Sequence, residues 1–393
     1  FCMSEGRVIS LGCRLNHAES ERIAALVEAE HGTVVVNSCS VTREAVRHTR
    51  QAIRRARKAH PDARLLVTGC AAETDREALG RMAEVDGFVA NAAKLDARSW
   101  NVPEPKVALH QQGTRAFIGV QNGCDHACTF CSIPSGRGAS RSDDIATVLR
   151  AVEARLDEGT KEVVLTGVDL TSWGHDLPDE PRLGALVEAI LREFPQLPRL
   201  RLSSVDGIEI DEALFELIAG EPRVMPHLHL SLQHGSDLIL KRMKRRHSRT
   251  QAIELVARLK DRRPEIAIGA DLIAGFPTET DAHHAENLSI VAECGIVHGH
   301  IFPYSPRDNT PAARMPQVDR PTIKRRAAEL RSAVRQSRDS WLEELLGQSH
   351  EVLAEKDGSG YTPHFARVAL PEGNAPGTLV TIAPTRIIEG MLA

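Results

Sequence analysis

The sequence predicts an α/β protein in three parts: a small N-terminal parallel-sheet domain, a central partial (β/α)6 barrel and a short β-rich C-terminal region. Three observations predict it. Strand and helix patterns alternate from Val8 to Ala90. The same rhythm resumes on a larger scale from Arg115. A last helical stretch then gives way to short apolar pairs separated by Gly and Pro. The expected domains are residues 1–107, 108–342 and 343–393.

In the first part, strands are expected at Val8–Gly12, Thr33–Asn37, Leu65–Gly69 and Val85–Ala90, with helices at Ala18–Glu30, Arg43–Ala59 and Glu73–Glu84. A Pro-bearing polar stretch, Asn101–Gly113, reads as a linker. Barrel strands are expected at Ala116–Gln121, Glu162–Gly167, Leu200–Ser204, His227–Gln233, Ile266–Ile273 and Val297–Phe302. Asp144–Glu158, Gly184–Phe194, Glu212–Ala219 and Arg249–Arg262 are among the helices between them. Six β/α units suggest an open barrel rather than a closed one of eight. Helical Thr322–Gly347 leads into the tail.

The 393 residues are 42% apolar, ample for sizeable cores, and carry a formal net charge of −4. No global basic field announces a nucleic-acid partner, so such binding would need local patches. No run approaches the ~18 apolar residues of a membrane span, and Phe1–Arg7 has no apolar leader segment. The cytosol is the expected compartment. In such a chain clustered cysteines read as metal ligands rather than disulfides.

The strongest such cluster is Cys124, Cys128 and Cys131, spaced C-x3-C-x2-C. Three thiolates can hold a four-iron cubane and leave one iron open. In radical S-adenosylmethionine enzymes that iron chelates the cofactor. A zinc site would want paired hooks and a fourth Cys or His, and His126 inside the loop would be cramped. Cys13, Cys39 and Cys70 each follow a predicted parallel strand of the small sheet. Carboxyl ends of adjacent parallel strands converge on one edge, so these three suit a second cluster better than three separate buried thiols. Cys294 reads as packing.

Ser10-Leu11-Gly12-Cys13-Arg14-Leu15-Asn16 with Glu19-Ser20-Glu21, then Asn37-Ser38-Cys39 and Thr68-Gly69-Cys70, resemble the opening of the radical S-adenosylmethionine methylthiotransferases. The resemblance continues through Cys124–Arg137, Leu165–Asp169, Gly275-Phe276-Pro277 and Phe302–Arg307, and covers almost the whole chain. Lys244–His247, Phe302–Arg307 and Met315–Gln317 look like the branch acting on threonylcarbamoyladenosine in tRNA. Ser132 and Ser135 stand where larger residues are usual. The resemblance implies a methylthiotransferase domain, a radical barrel and a small RNA-binding (TRAM-like) β-module. It also implies two 4Fe–4S clusters, S-adenosylmethionine, a tRNA anticodon loop as partner, a flavodoxin-like or ferredoxin-like electron donor, and a sulfur source.

Phe130 resembles the aromatic that packs near the cofactor's adenine in this superfamily. Thr166 and Gly167 end the second barrel strand, where a Gly lets backbone approach the cofactor, and Asp169 could bond its amino group. Ser203, Ser204 and Gln233 sit at later strand ends and suit cofactor contact or plain loop capping. Arg47, Arg50, Arg54 and Arg57 recur at helical spacing and give a basic face suited to RNA phosphates. The run Lys241–Arg249, with Arg245 and Arg246, is a second candidate. Arg137 and Arg307 are candidates for the substrate carboxylate. The tail is net acidic, which keeps open a basic ribosomal-protein target modified on aspartate. Isopentenyladenosine in tRNA, and a non-catalytic RNA-binding redox sensor, are the other readings.

Overall fold

The computed structural model describes residues 7–27, 32–101 and 114–393. Cys2, the end of the expected helix Ala18–Glu30, the boundary at 107/108 and all of the expected linker beyond Asn101 lie outside the described residues. The described residues form two compact units. Unit 1 draws on Phe1–Gln111, Gln121–Arg141 and Ser305–Ala313; unit 2 draws on Gln112–Val120, Ser142–Tyr304 and Arg314–Ala393.

Unit 1 contains a four-stranded parallel sheet in sequence order, β1 (Val8–Ser10), β2 (Thr33–Ser38), β3 (Arg64–Gly69) and β4 (Gly87–Phe88). Every residue of β2 is buried, as the near-continuous apolar runs of covered parallel strands require. Helices α1 (Arg14–Val27) and α2 (Arg43–Ala59) follow β1 and β2. Thr42 caps α2 by accepting from the Ala45 N–H at 3.1 Å. The single helix expected over Glu73–Glu84 is instead two short ones, α3 (Cys70–Thr74) and α4 (Arg76–Gly80). The Thr74 hydroxyl bonds back to Cys70 O and across to Asp75, and Asp75 leaves helical geometry, a local competition that breaks helices. A further short helix, α5 (Ile133–Arg137), follows the second cysteine cluster.

Unit 2 holds the six expected barrel strands, all parallel: β5 (Ala116–Gly119), β6 (Glu162–Thr166) and β7 (Arg199–Leu202) in one sheet, β8 (His227–Gln233), β9 (Ala267–Ala274) and β10 (Ile296–Pro303) in another. A parallel bridge at Val205 and Leu230 joins the two sheets into one open barrel. Helices α6 (Ile145–Asp157), α7 (Leu183–Glu193), α8 (Glu212–Gly220), α9 (Asp237–Met243), α10 (Arg249–Arg262) and α11 (Asp281–Glu293) connect the strands. One continuous apolar core runs from Ala116 through Leu165 and Leu272 to Val334.

A 25-residue helix, α12 (Arg320–Glu344), leads to the tail. The tail forms its own six-stranded sheet from β11 (His350–Ala354), β12 (Ser359–Tyr361), β13 (Arg367–Ala369), β14 (Leu379–Ile382), β15 (Ile387–Ile388) and β16 (Met391–Leu392). Its acids have partners inside unit 2: Glu351 meets Arg199 at 3.2 Å and Glu355 meets Arg115 at 2.8 Å. No described helix is long and apolar enough to cross a membrane.

Candidate functional site

Parallel pairing of β1, β2 and β3 brings their carboxyl ends to one edge of the unit 1 sheet. Cys13 lies just past β1 and is exposed, Cys39 directly follows β2, and Cys70 begins α3 directly after β3; the last two are buried. A Cβ on Gly12 (φ +95°) would lie 2.7 Å from the Cys39 sulfur, and one on Gly69 (φ +88°) 2.4 Å from Ser38 O. Only glycine lets the chain turn so close to this edge. Burial, helped by neighbouring Cys13 and Cys70, pushes the Cys39 thiol up to about 11. That buried thiol resists ionising unless a ligand takes up the thiolate charge. No disulfide forms among the described residues. The three-sulfur set fits an iron–sulfur cluster with one iron left open.

Behind this edge lies a buried ionic network. Arg137 donates from Nε to the Cys70 sulfur at 3.3 Å. Its other nitrogens bond Glu19, Asn122 Oδ1 (2.7 Å) and Asn16 Oδ1 (2.6 Å). Lys94 Nζ reaches Glu19 Oε2 at 2.6 Å and Asn37 Oδ1 at 3.4 Å. Burial opposes ionisation of Glu19, but Lys94 and Arg137 hold its carboxyl below the ordinary range. Arg137, which the sequence offered to the substrate, is thus enclosed and filled by partners. Asn16 and Glu19 stand within the Ser10–Glu21 motif, and this role was their unread signal; nothing local marks Lys94 or Asn122.

The second cysteine set belongs to the same unit. Cys124 N bonds Gly138 O at 3.1 Å and Cys131 N bonds Cys128 O at 3.2 Å. Backbone N–H groups point at two of the sulfurs, His126 N at Cys124 (3.5 Å) and Ile133 N at Cys131 (3.4 Å). Such donors favour thiolate. Asn91 Nδ2 fixes α5 through Gly136 O at 2.6 Å, and Ala312 N bonds Thr129 O at 2.9 Å. Phe130 is half-buried in this loop. The donor set fits the cluster read from the spacing.

Unit 2 places the other expected cofactor residues at the carboxyl ends of its strands. Thr166 closes β6, with Gly167 next. Asp169 is buried and accepts from the Ser172 hydroxyl at 2.8 Å. Ser203 and Ser204 follow β7, and the Ser203 hydroxyl is buried with no hydrogen-bond partner among the described residues. Gln233 ends β8 in the left-handed region, φ +68°. Arg245 and Arg246 both pair with buried Asp206 at 2.9 Å, and Arg246 also pairs with Glu209. Burial works against the Asp206 charge, but His247 and these arginines keep the carboxyl low. The basic run therefore braces the strand ends. Asp271 joins His229 (3.0 Å) and His300 (3.1 Å) across the inner row of β8, β9 and β10; the sequence reading assigned these three nothing.

On α2, Arg47 and Arg54 are exposed and Arg50 is half-buried. Arg57 folds back onto Glu84 O, Ala63 O and Asp86. Arg307 pairs with Asp75 at 2.8 Å within unit 1.

Residues 118–289 match the Radical SAM superfamily, and residues 6–90 match Uncharacterized protein family UPF0004. The threonylcarbamoyladenosine tRNA methylthiotransferase MtaB of Rickettsia prowazekii is 41% identical over 98% of this chain and 96% of that protein. The tRNA-2-methylthio-N(6)-dimethylallyladenosine synthase of Cereibacter sphaeroides is 31% identical over 98% and 97%. Among solved structures, the radical S-adenosylmethionine methyltransferase TsrM of Kitasatospora setae has a TM-score of 0.53 at 17% identity, covering 76% of this chain and 70% of that one, a likeness of fold. Identity that runs the length of both chains, at the level of the Rickettsia relative, decides the matter: this chain belongs to the radical S-adenosylmethionine methylthiotransferase family.

Proposed function

We propose that this protein adds a methylthio group to C2 of N6-threonylcarbamoyladenosine beside the anticodon of tRNA, using two 4Fe–4S clusters and S-adenosylmethionine. The observation that carries this reading is the identity to the Rickettsia threonylcarbamoyladenosine enzyme over 98% of the chain. Relatives named for dimethylallyladenosine share 31–33%, well below that one enzyme.

Cys124, Cys128 and Cys131 would hold one cluster, and Cys13, Cys39 and Cys70 the other. When bound, these groups and S-adenosylmethionine supply the radical chemistry that an unreactive C–H bond demands, together with the sulfur and the methyl group. The chain's own residues prepare the sulfurs. Arg137 supports Cys70 with a charged donor, and Glu19 and Lys94 keep Arg137 in place. Backbone N–H groups do the same at Cys124 and Cys131. The strand-end residues Thr166, Gly167, Asp169, Ser203, Ser204 and Gln233 and the loop residue Phe130 are the proposed cofactor contacts. Arg47 and Arg54 are the proposed phosphate contacts, at the anticodon loop, where a single-stranded base is already splayed. A small flavodoxin-like or ferredoxin-like protein would deliver electrons, in the cytosol with the tRNA.

Mass spectrometry of tRNA nucleosides from cells with and without the protein tests this. The 2-methylthio derivative should vanish in the knockout and its precursor accumulate. Unchanged tRNA beside a mass shift on a ribosomal protein would overturn it.

A further inference from the structure

Within unit 1 a cleft of about 480 Å³ opens between α2, the Thr74–Asp75 turn, the start of α5 and the segment Ser305–Ala313. Four arginines line it, Arg43, Arg47, Arg50 and Arg307, against two carboxylates, Asp75 and Asp308. Three of the four have acceptors in the protein. Arg307 bonds Asp75 at 2.8 Å, Arg43 bonds Asp308 at 3.0 Å, and Arg47 bonds Glu44 at 2.9 Å. Arg50 does not: its Nε is buried and has no hydrogen-bond partner among the described residues. A buried N–H of a charged group left without an acceptor is costly, and native structures keep few of them. Arg199 and Arg326 also have a buried Nε without a partner, but their terminal nitrogens are bonded to protein. Arg50 lines a cleft and, among the described residues, bonds no protein acceptor through any nitrogen, which leaves room for an acceptor that arrives with a ligand.

The cleft lies beside both cysteine sets. Ser132, which follows Cys131, lines it, and so does Thr74, which ends the helix that Cys70 begins. None of the six cysteines lines the cleft itself, but its place beside both sets suits a base that must meet them. We infer that Arg50 seats the carboxylate of the threonylcarbamoyl group and so selects this base over one with an apolar substituent; the inference rests on the substrate reading above. The carboxylate is the only charge on the base itself, and a planar guanidinium takes it through two parallel bonds. An apolar dimethylallyl group would leave the buried Nε–H unpaired, and a polar site rejects ligands lacking its partner far more sharply than an apolar pocket rejects an extra group. Ser132 and Ser135 also line the cleft and offer small hydroxyls.

The test is binding of reconstituted holoenzyme, at one salt concentration, to three anticodon stem-loop RNAs. One carries N6-threonylcarbamoyladenosine, one its threonyl methyl ester, and one plain adenosine. The wild-type protein should prefer the acid. Arg50→Gln should weaken binding of the acid about 10- to 100-fold and leave the ester and plain RNAs almost unchanged, so the preference disappears. Arg50→Lys, which keeps the charge without the planar fork, should fall between. Equal losses on all three RNAs would mean a backbone phosphate contact and overturn the assignment. A retained preference for the acid in Arg50→Gln would overturn it too. Wild-type protein that binds acid and ester alike, both above plain adenosine, would overturn the assignment and leave the substrate reading standing; equal binding of all three RNAs would overturn the substrate reading and the assignment with it.

Discussion

Each unit holds a fully enclosed triad of one carboxylate and two cations, and the two triads end differently. In unit 1, Glu19 lies between Lys94 and Arg137; in unit 2, Glu162 lies between Arg199 and Arg201. All six side chains are almost fully enclosed. Each triad carries one positive charge in excess. In unit 2 the excess meets protein: Arg199 reaches Glu351 and Tyr361 O, and Arg201 reaches Pro363 O, so the triad clamps the tail sheet to the barrel. In unit 1 the excess faces the Cys70 sulfur. The same charge arrangement is closed where it clamps two sheets and left facing a sulfur at the proposed cluster edge.

Removing what the open triad faces has the largest expected effect. With Cys13, Cys39 and Cys70 all changed to Ala, reconstituted iron should fall from about eight to about four atoms per chain, and methylthiolated product should not form. Full iron content in that variant would mean that the sheet edge holds no cluster, and the two triads would then differ only by accident.

A pair of substitutions sharpens the comparison. Glu19→Gln and Glu162→Gln each leave buried cations uncompensated and should each cost about 3–5 kcal/mol of stability. Only Glu19→Gln should also change the paramagnetic resonance signal of the reduced protein, because only that triad touches a sulfur. Signals that change in both variants, or in neither, would break the contrast.

The smallest effect concerns pH and unit 2 alone. The His298 ring packs against Phe365, Trp341 and His227, and burial together with Arg338 pushes it down to about 3. Above about pH 6.5 the imidazole is neutral folded or unfolded and stability is complete. Below that the unfolded chain takes the proton first, so stability declines until the folded ring also titrates near 3. His298→Phe should flatten the fall of the melting temperature between about pH 6 and 4. Asp271 works in the other window. Burial opposes its charge, yet His229 and His300 hold it at about 2, so its contribution is present above about pH 4 and lost only below it. An unchanged slope in His298→Phe would mean that other groups carry the acid sensitivity.

The strands were legible because covered parallel strands read as unbroken apolar runs, as in Val34–Val36 and Val163–Leu165. The cysteine sets were legible because their spacing and their places after strands are local facts. Val85–Ala90 shrank to Gly87–Phe88, since short edge strands have little patterning to read. The buried network around Arg137 was not legible because its partners Asn16 and Glu19 lie more than a hundred residues away in sequence. The acidity of the tail suggested an outside partner for the same reason: Glu351 and Glu355 answer Arg199 and Arg115, distant in sequence. Charge runs reveal sign, and only the fold reveals what answers it.

The segment Ser305–Ala313 has a consequence for biosynthesis. Unit 1 gathers three stretches of chain, and the last follows the final barrel strand, β10. From there Arg307 reaches Asp75, Asp308 reaches Arg43 and Ala312 N reaches Thr129 O. Chains emerge from the ribosome N-terminus first, so both groups of thiols are made long before this strap exists. A nascent chain that has passed Cys131 but not Ala313 carries all six thiols on an unfinished unit 1. Iron loading at these two sets is therefore expected only once the stretch after the last barrel strand has been made and unit 1 can close.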